Sequence, residues 1–133
     1  MQNQQLARRS PAVPSTADIV KLGWDAVARG DWDTLVADYT ADTLFVMPGQ
    51  TDRIEGKAAF RGALENIGSA LPPGFNITSI RQIGDGDEVV SVLQWTSTKV
   101  PQGSQLAVLF RFAGDKVAEE RWFIDTEQWK AAF

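Results

Sequence analysis

The chain contains no histidine and no cysteine, so it lacks the commonest acid/base side chain, the commonest metal ligand and every thiolate. No cofactor and no metal are expected, and any chemistry must come from carboxylates, hydroxyls and aromatic rings. In the run from 116 to 125, alternation puts Ala118, Glu120, Trp122 and Ile124 on one face. In the run from 105 to 113, the apolar phase is Leu106, Val108, Phe110 and Phe112, and in the run from 87 to 98 Ser91, Leu93 and Trp95 keep step. Glu120 is the one carboxylate in phase with this apolar wall. Beside Trp122 and Trp95 its charged form is disfavoured by desolvation, which raises a carboxyl toward the working range of a general acid/base. Glu120 could then move a proton next to a carbonyl, with Tyr39 or Ser91 as donor to the developing oxyanion. The competing reading pairs Glu120 with Arg111 or Arg121, or leaves it in water at a pocket mouth.

The other polar candidates read as structural. Asp31, Asp33 and Asp42 stand where short acidic side chains cap helices and turns. Asp85-Gly86-Asp87 reads as a hairpin turn without enough ligands for calcium, and Asp125 as an anchor for the tail. Trp95 and Trp122 serve core and pocket wall alike.

These groups need elements to hold them. Ser15 and Asp18 resemble a capping box, and Ile19, Leu22, Gly23, Ala26 and Val27 recur at helical spacing, which predicts a first helix over 16–29. Gly30 ends it and Asp31 caps a short second helix, along which Trp32, Leu35, Val36 and Tyr39 form one stripe. Thr43 to Met47 reads as a short strand closed by Pro48-Gly49, and Phe60, Leu64, Ile67 and Leu71 mark a third helix stopped by Pro72-Pro73-Gly74. Four extended runs follow, roughly 75–83, 87–98, 105–113 and 116–125, as an antiparallel meander. Thr126 to Phe133, with Trp129 and Phe133 four apart, reads as a short lid or a contact with another subunit. Helices first and strands afterwards make an α+β layer structure.

Residues 1–14, with Pro11 and Pro14, read as a flexible leader, and 15–133 as one domain. With 133 residues there is room for one core. The net charge of -4 and the absence of a basic cluster argue against nucleic acid as a partner. No run of about 18 apolar residues suggests a membrane span and Met1 to Ala17 has no apolar signal core, so the expected location is the cytoplasm.

Gly30-Asp31-Trp32-Asp33, then Tyr39, Asp42 and Met47-Pro48-Gly49, then Gly56 with Lys57-Ala58-Ala59, and finally Glu120, Trp122 and Asp125 carry a family likeness over about residues 16–129. The chain resembles the SnoaL-like branch of the nuclear-transport-factor-2-like (NTF2-like) superfamily, which includes polyketide cyclases and ketosteroid isomerases. The resemblance implies a cone-shaped, cystatin-like roll, with three N-terminal helices packed on a curved antiparallel sheet and an open end that admits a small hydrophobic molecule.

Its chemistries can be tested position by position. By similarity, the ketosteroid isomerase base falls on Met47, the phenolic donor on Gly23 and the protonated aspartate near Val108. The epoxide-hydrolase groups fall on Leu93, Trp95 and Trp122, and dehydratase chemistry needs a histidine that this chain lacks. None of these sets is present. In the polyketide-cyclase group a last-strand carboxylate acts as acid/base, which points again to Glu120.

The candidate catalytic groups are therefore Glu120 and Tyr39, and the candidate ligand wall comprises Ser91, Leu93, Val108 and Phe110, with Met47, Phe60, Trp95 and Trp122 setting its volume. The opposite sheet face, with Val90, Val92, Leu109 and Phe123, is too apolar for a freely solvated surface and predicts a homodimer through the sheet. Two readings stay open: a cofactor-free isomerase or cyclase for a small hydrophobic carbonyl compound, or a non-catalytic binder of a small ligand.

Overall fold

The computed structural model describes residues 14–47 and 53–133. Most of the expected leader and the Pro48-Gly49 turn lie outside them. The first helix, α1, spans Thr16–Arg29: the Ser15 side chain accepts from Asp18 N at its start, and Gly30 at φ 68° closes it. Asp31 caps α2, Trp32–Val36. Both helices start where short polar side chains take up free backbone donors.

Two features of this hairpin differ from the sequence reading. On α1, Leu22 is 55% exposed and Trp24 is buried instead. The helix stops at Val36, and Tyr39 opens strand β1, Tyr39–Val46. Pairing with a distant strand decides this, because Val117 N donates to Asp38 O at 2.8 Å and captures the backbone for the sheet.

Strand β2, Arg53–Glu55, pairs antiparallel with β1. Helix α3, Lys57–Leu64, follows, and the chain breaks before a short α4, Ile67–Ala70, where one third helix was expected. The remaining strands are β3, Asn76–Ile83; β4, Glu88–Thr96; β5, Ser104–Ala113; and β6, Lys116–Ile124. They form the expected antiparallel meander.

The sheet as a whole is mixed. Its order is β2-β1-β6-β5-β4-β3, and β1 runs parallel to β6. Parallel neighbours need a long crossover; here it runs over 47–115, about half of the chain, so no local pattern signals the pairing. The inner face carries the predicted alternation through Val89, Ser91, Leu93 and Trp95, and through Leu106, Val108, Phe110 and Phe112. A register shift between Arg111 and Phe112 turns Val117 into the core, while Ala118 is only half-buried.

The tail forms α5, Thr126–Ala131, capped by the Asp125 side chain. Trp129 is buried and meets Trp95 edge-on at 5.5 Å and Phe75 at 5.7 Å. It closes one end of the core, so the Trp129 ring is used in packing within the chain, while Phe133 stays exposed.

Candidate functional site

Register places the central carboxyl. Glu120 on β6 lies opposite Phe45 on β1 and opposite Phe110 on β5, so aromatic rings flank it on both sides. Trp122 follows on the same face. Above them α1 contributes Trp24, whose Nε1 donates to Ser91 Oγ at 3.0 Å and pins the indole to the sheet. Phe60 of α3 stacks on Phe45 at 4.8 Å and meets Tyr39 at 5.1 Å.

These elements enclose a cavity of about 520 Å³, within the range of small-molecule pockets. Its deep wall includes Tyr39, Phe45, Phe60, Phe110, Glu120 and Trp122. Toward the mouth it passes between α1, with Trp24 and Asp25, and the segment carrying Leu71, Phe75 and Ile80.

Glu120 is 6% exposed, and both its carboxyl oxygens are engaged. The Tyr39 hydroxyl donates to Oε1, and Trp122 Nε1 donates to Oε2 at 2.8 Å. Neither expected arginine pairs with it: Arg111 bonds Glu88 and lies 3.8 Å from Glu119, and Arg121 bonds Glu119. Those arginines project from the opposite phase of the sheet, which the pleat separates from Glu120.

Burial raises the Glu120 carboxyl above its ordinary value of 4.5, against the opposing pull of the Trp122 and Tyr39 bonds. Burial first, then the neighbouring Glu120 and Asp38, push the Tyr39 phenol well above its ordinary 10.0. Both shifts favour the protonated forms, so this dry, apolar setting resists the loss of a proton from either group. A hydroxyl can rotate; if Glu120 carries the proton and donates it to Tyr39, the phenolic hydrogen is free to point at a ligand.

The structure brings Glu120, Tyr39, Phe60, Phe110 and Trp122 to one cavity. Met47, Ser91, Leu93, Trp95 and Val108 are not on its wall. Met47 is half-buried against the core at the end of β1. Ser91 is fully buried, accepts from Trp24 and does not reach the cavity wall, so it does not meet a ligand there. Val108 sits buried between Ser91 and Trp122 in the sheet register. Leu93 and Trp95 are fully buried, and Trp95 packs against Trp129 of α5. Alternation tells which way a strand residue points; it does not tell whether a helix or an open space lies above it.

The sequence reading missed Trp24, Phe45, Asp25 and Asp38 on the wall. Val20, Trp24 and Val27 share a helical stripe that would have signalled Trp24. Asp25 and Asp38 carried no comparable signal. Among the described residues, no three Asp or Glu side chains gather closely enough to hold a metal ion.

A buried carboxyl held by a phenol and an indole, at the base of a cavity between helices and a curved sheet, now stands beside a match of residues 20–120 to the SnoaL-like domain. The chain belongs to the SnoaL-like family. Solved structures similar to this SnoaL-like protein share its fold. A candidate polyketide cyclase from Xanthomonas campestris pv. campestris is 19% identical, with 88% of this chain and 95% of that one covered and a TM-score of 0.70. An NTF2-like protein from Burkholderia xenovorans LB400 is 20% identical, with 88% and 94% covered and a TM-score of 0.69. TerC, crystallised with polyporic acid, is 15% identical, with 88% and 96% covered and a TM-score of 0.72. No curated protein matches this SnoaL-like protein by sequence. No helix among its described residues is long and apolar enough to cross a membrane.

Proposed function

We propose that this protein is a cofactor-free isomerase or cyclase acting on a small hydrophobic carbonyl compound, with Glu120 as acid/base and Tyr39 as the donor to the carbonyl oxygen. The observation that carries this reading is the Glu120 carboxyl: buried, on a cavity wall, without a cationic partner among the described residues, and joined to the Tyr39 phenol. A structural carboxylate is ordinarily neutralised by an ion pair, whereas a carboxyl whose proton affinity is raised by burial, beside a phenol, suits proton transfer to and from carbon. Ionised Glu120 takes the proton next to the carbonyl; the Tyr39 hydroxyl, no longer held by a charged carboxylate, turns its hydrogen to the enolate oxygen, and the now protonated carboxyl returns its proton elsewhere on the carbon frame. The cytoplasm and a homodimer formed through the outer sheet face belong to the same reading, the latter supported by Phe123 standing 45% exposed there.

A second reading rests on a different aspect of the same group. Both Glu120 oxygens are already occupied by Tyr39 and Trp122, an arrangement that also suits a non-catalytic small-ligand binder whose carboxyl holds the wall together. Deuterium exchange at the α-carbon of a panel of hydrophobic ketones in D₂O separates the two. The enzyme reading expects exchange above the buffer rate that falls at least a hundredfold in Glu120→Gln. Ketones that bind without exchanging leave the protein a binder.

A further inference from the structure

The charge of the cavity wall is one-sided. Among the described residues, three carboxyl groups line it, Asp25, Asp38 and Glu120, and no lysine or arginine does. The three differ in how far they are neutralised. Glu120 is bonded to Tyr39 and Trp122, and Asp38 has Lys116 Nζ at 3.8 Å. Asp25 has neither a hydrogen bond nor an ion pair among the described residues. It is exposed on α1, and it sits where the cavity meets an outer hollow lined by Lys21, Trp24, Asp25, Ile80 and Gln82. Trp24, Asp25 and Ile80 border both spaces, so a ligand entering between α1 and β3 passes the Asp25 carboxylate.

We propose that the cavity discriminates by charge, accepting neutral or amine-bearing apolar molecules and rejecting anions, with Asp25 as the specificity-determining residue at its mouth. The proposal rests on the reading of the cavity as a small-molecule site. An anionic ligand would lose its hydration among the aromatic side chains of the wall and find no cation there to replace it. It would also meet an unpaired like charge, and specificity is commonly built by placing such a charge against the wrong partner. Because Asp25 is exposed, its repulsion acts on a ligand as it enters and is screened by salt. Lys21 borders the outer hollow and is not on the cavity wall.

The test compares three ligands built on one naphthalene frame: 2-acetylnaphthalene, 2-naphthoate and 2-naphthylmethylammonium. Their dissociation constants are measured on the whole chain by tryptophan fluorescence and by chemical shifts of the Trp24 and Trp122 indoles. Naphthoate is expected to bind at least tenfold more weakly than the ketone, about 1.4 kcal/mol, and the ammonium at least as tightly as the ketone. Asp25→Asn should shrink the ketone-to-carboxylate ratio to within about threefold, and raising the salt from about 20 to 500 mM should shrink it in the unaltered protein. Equal binding of ketone and carboxylate overturns the charge selection and leaves the small-molecule site standing. A ratio unchanged by Asp25→Asn overturns the role of that residue. Failure of all three ligands to bind overturns the site itself, and the selection with it.

Discussion

The Tyr39 hydroxyl donates to the carboxyl of Glu120 across 81 positions of sequence. The contact exists because β1 lies parallel to β6, with Tyr39 opposite Val117 and Phe45 opposite Glu120, and because the register slips between Tyr39 and Leu44. A phenol at the first residue of one strand thereby reaches a carboxyl at the middle of its neighbour.

Glu120 makes the fold sensitive to pH in a defined direction. Its carboxyl titrates above the ordinary 4.5 in the folded protein because of burial, so between those two values the native state holds more protons than the unfolded chain. The contribution is fully present below the ordinary value and is lost as pH rises through the folded one. Glu120→Gln removes this dependence. Urea denaturation at pH 4, 6 and 8 should show the unaltered protein losing stability relative to the glutamine variant as pH rises.

Tyr39→Phe deletes one of the two donors to Glu120 and leaves the ring stacked near Phe60. Since that bond lowers the carboxyl value against burial, its loss should raise the Glu120 value further. Carbon-detected NMR titration of the carboxyl reads this directly. Ketone exchange in the same variant should fall by about ten- to a hundredfold, the cost of one oxyanion donor being of that order or larger.

Ser91→Ala leaves Trp24 Nε1 without its partner beneath α1. An unsatisfied buried donor costs about 1–3 kcal/mol, and the midpoint of chemical unfolding should shift accordingly. The Trp24 indole resonance should also broaden as the ring loses its tether.

Gly74 turns the chain from α4 into β3 with φ 75°, a left-handed conformation. A methyl group there would stand 3.0 Å from Thr98 N and closer still to the Thr98 hydroxyl. Gly74→Ala should lose more than the about 1–2 kcal/mol of the conformation alone. The next residue, Phe75, lines the cavity, so ligand affinity should fall together with the thermal midpoint.

Much of this molecule is legible one segment at a time. Ser15, Gly30 and Asp31 determine the bounds of α1 and the start of α2 by local capping. Alternation determines that Leu106, Val108, Phe110, Glu120 and Trp122 face inward, because a pleated strand leaves a side chain only two directions. The likeness to the SnoaL-like family rests on short motifs of the same local kind.

What lies above each inward residue was decided only in three dimensions. Trp95 and Glu120 share the inner face, yet α5 covers Trp95 while open space covers Glu120. The helical stripe of α2 promised Tyr39 to a helix, and the parallel pairing with β6 took it for a strand. Local spacing governs conformation within a segment because capping and the pleat act over a few residues. The cavity, the Tyr39–Glu120 bond and the place of Asp25 on the cavity wall arise from the meeting of segments far apart in the chain, and no local pattern encodes that meeting.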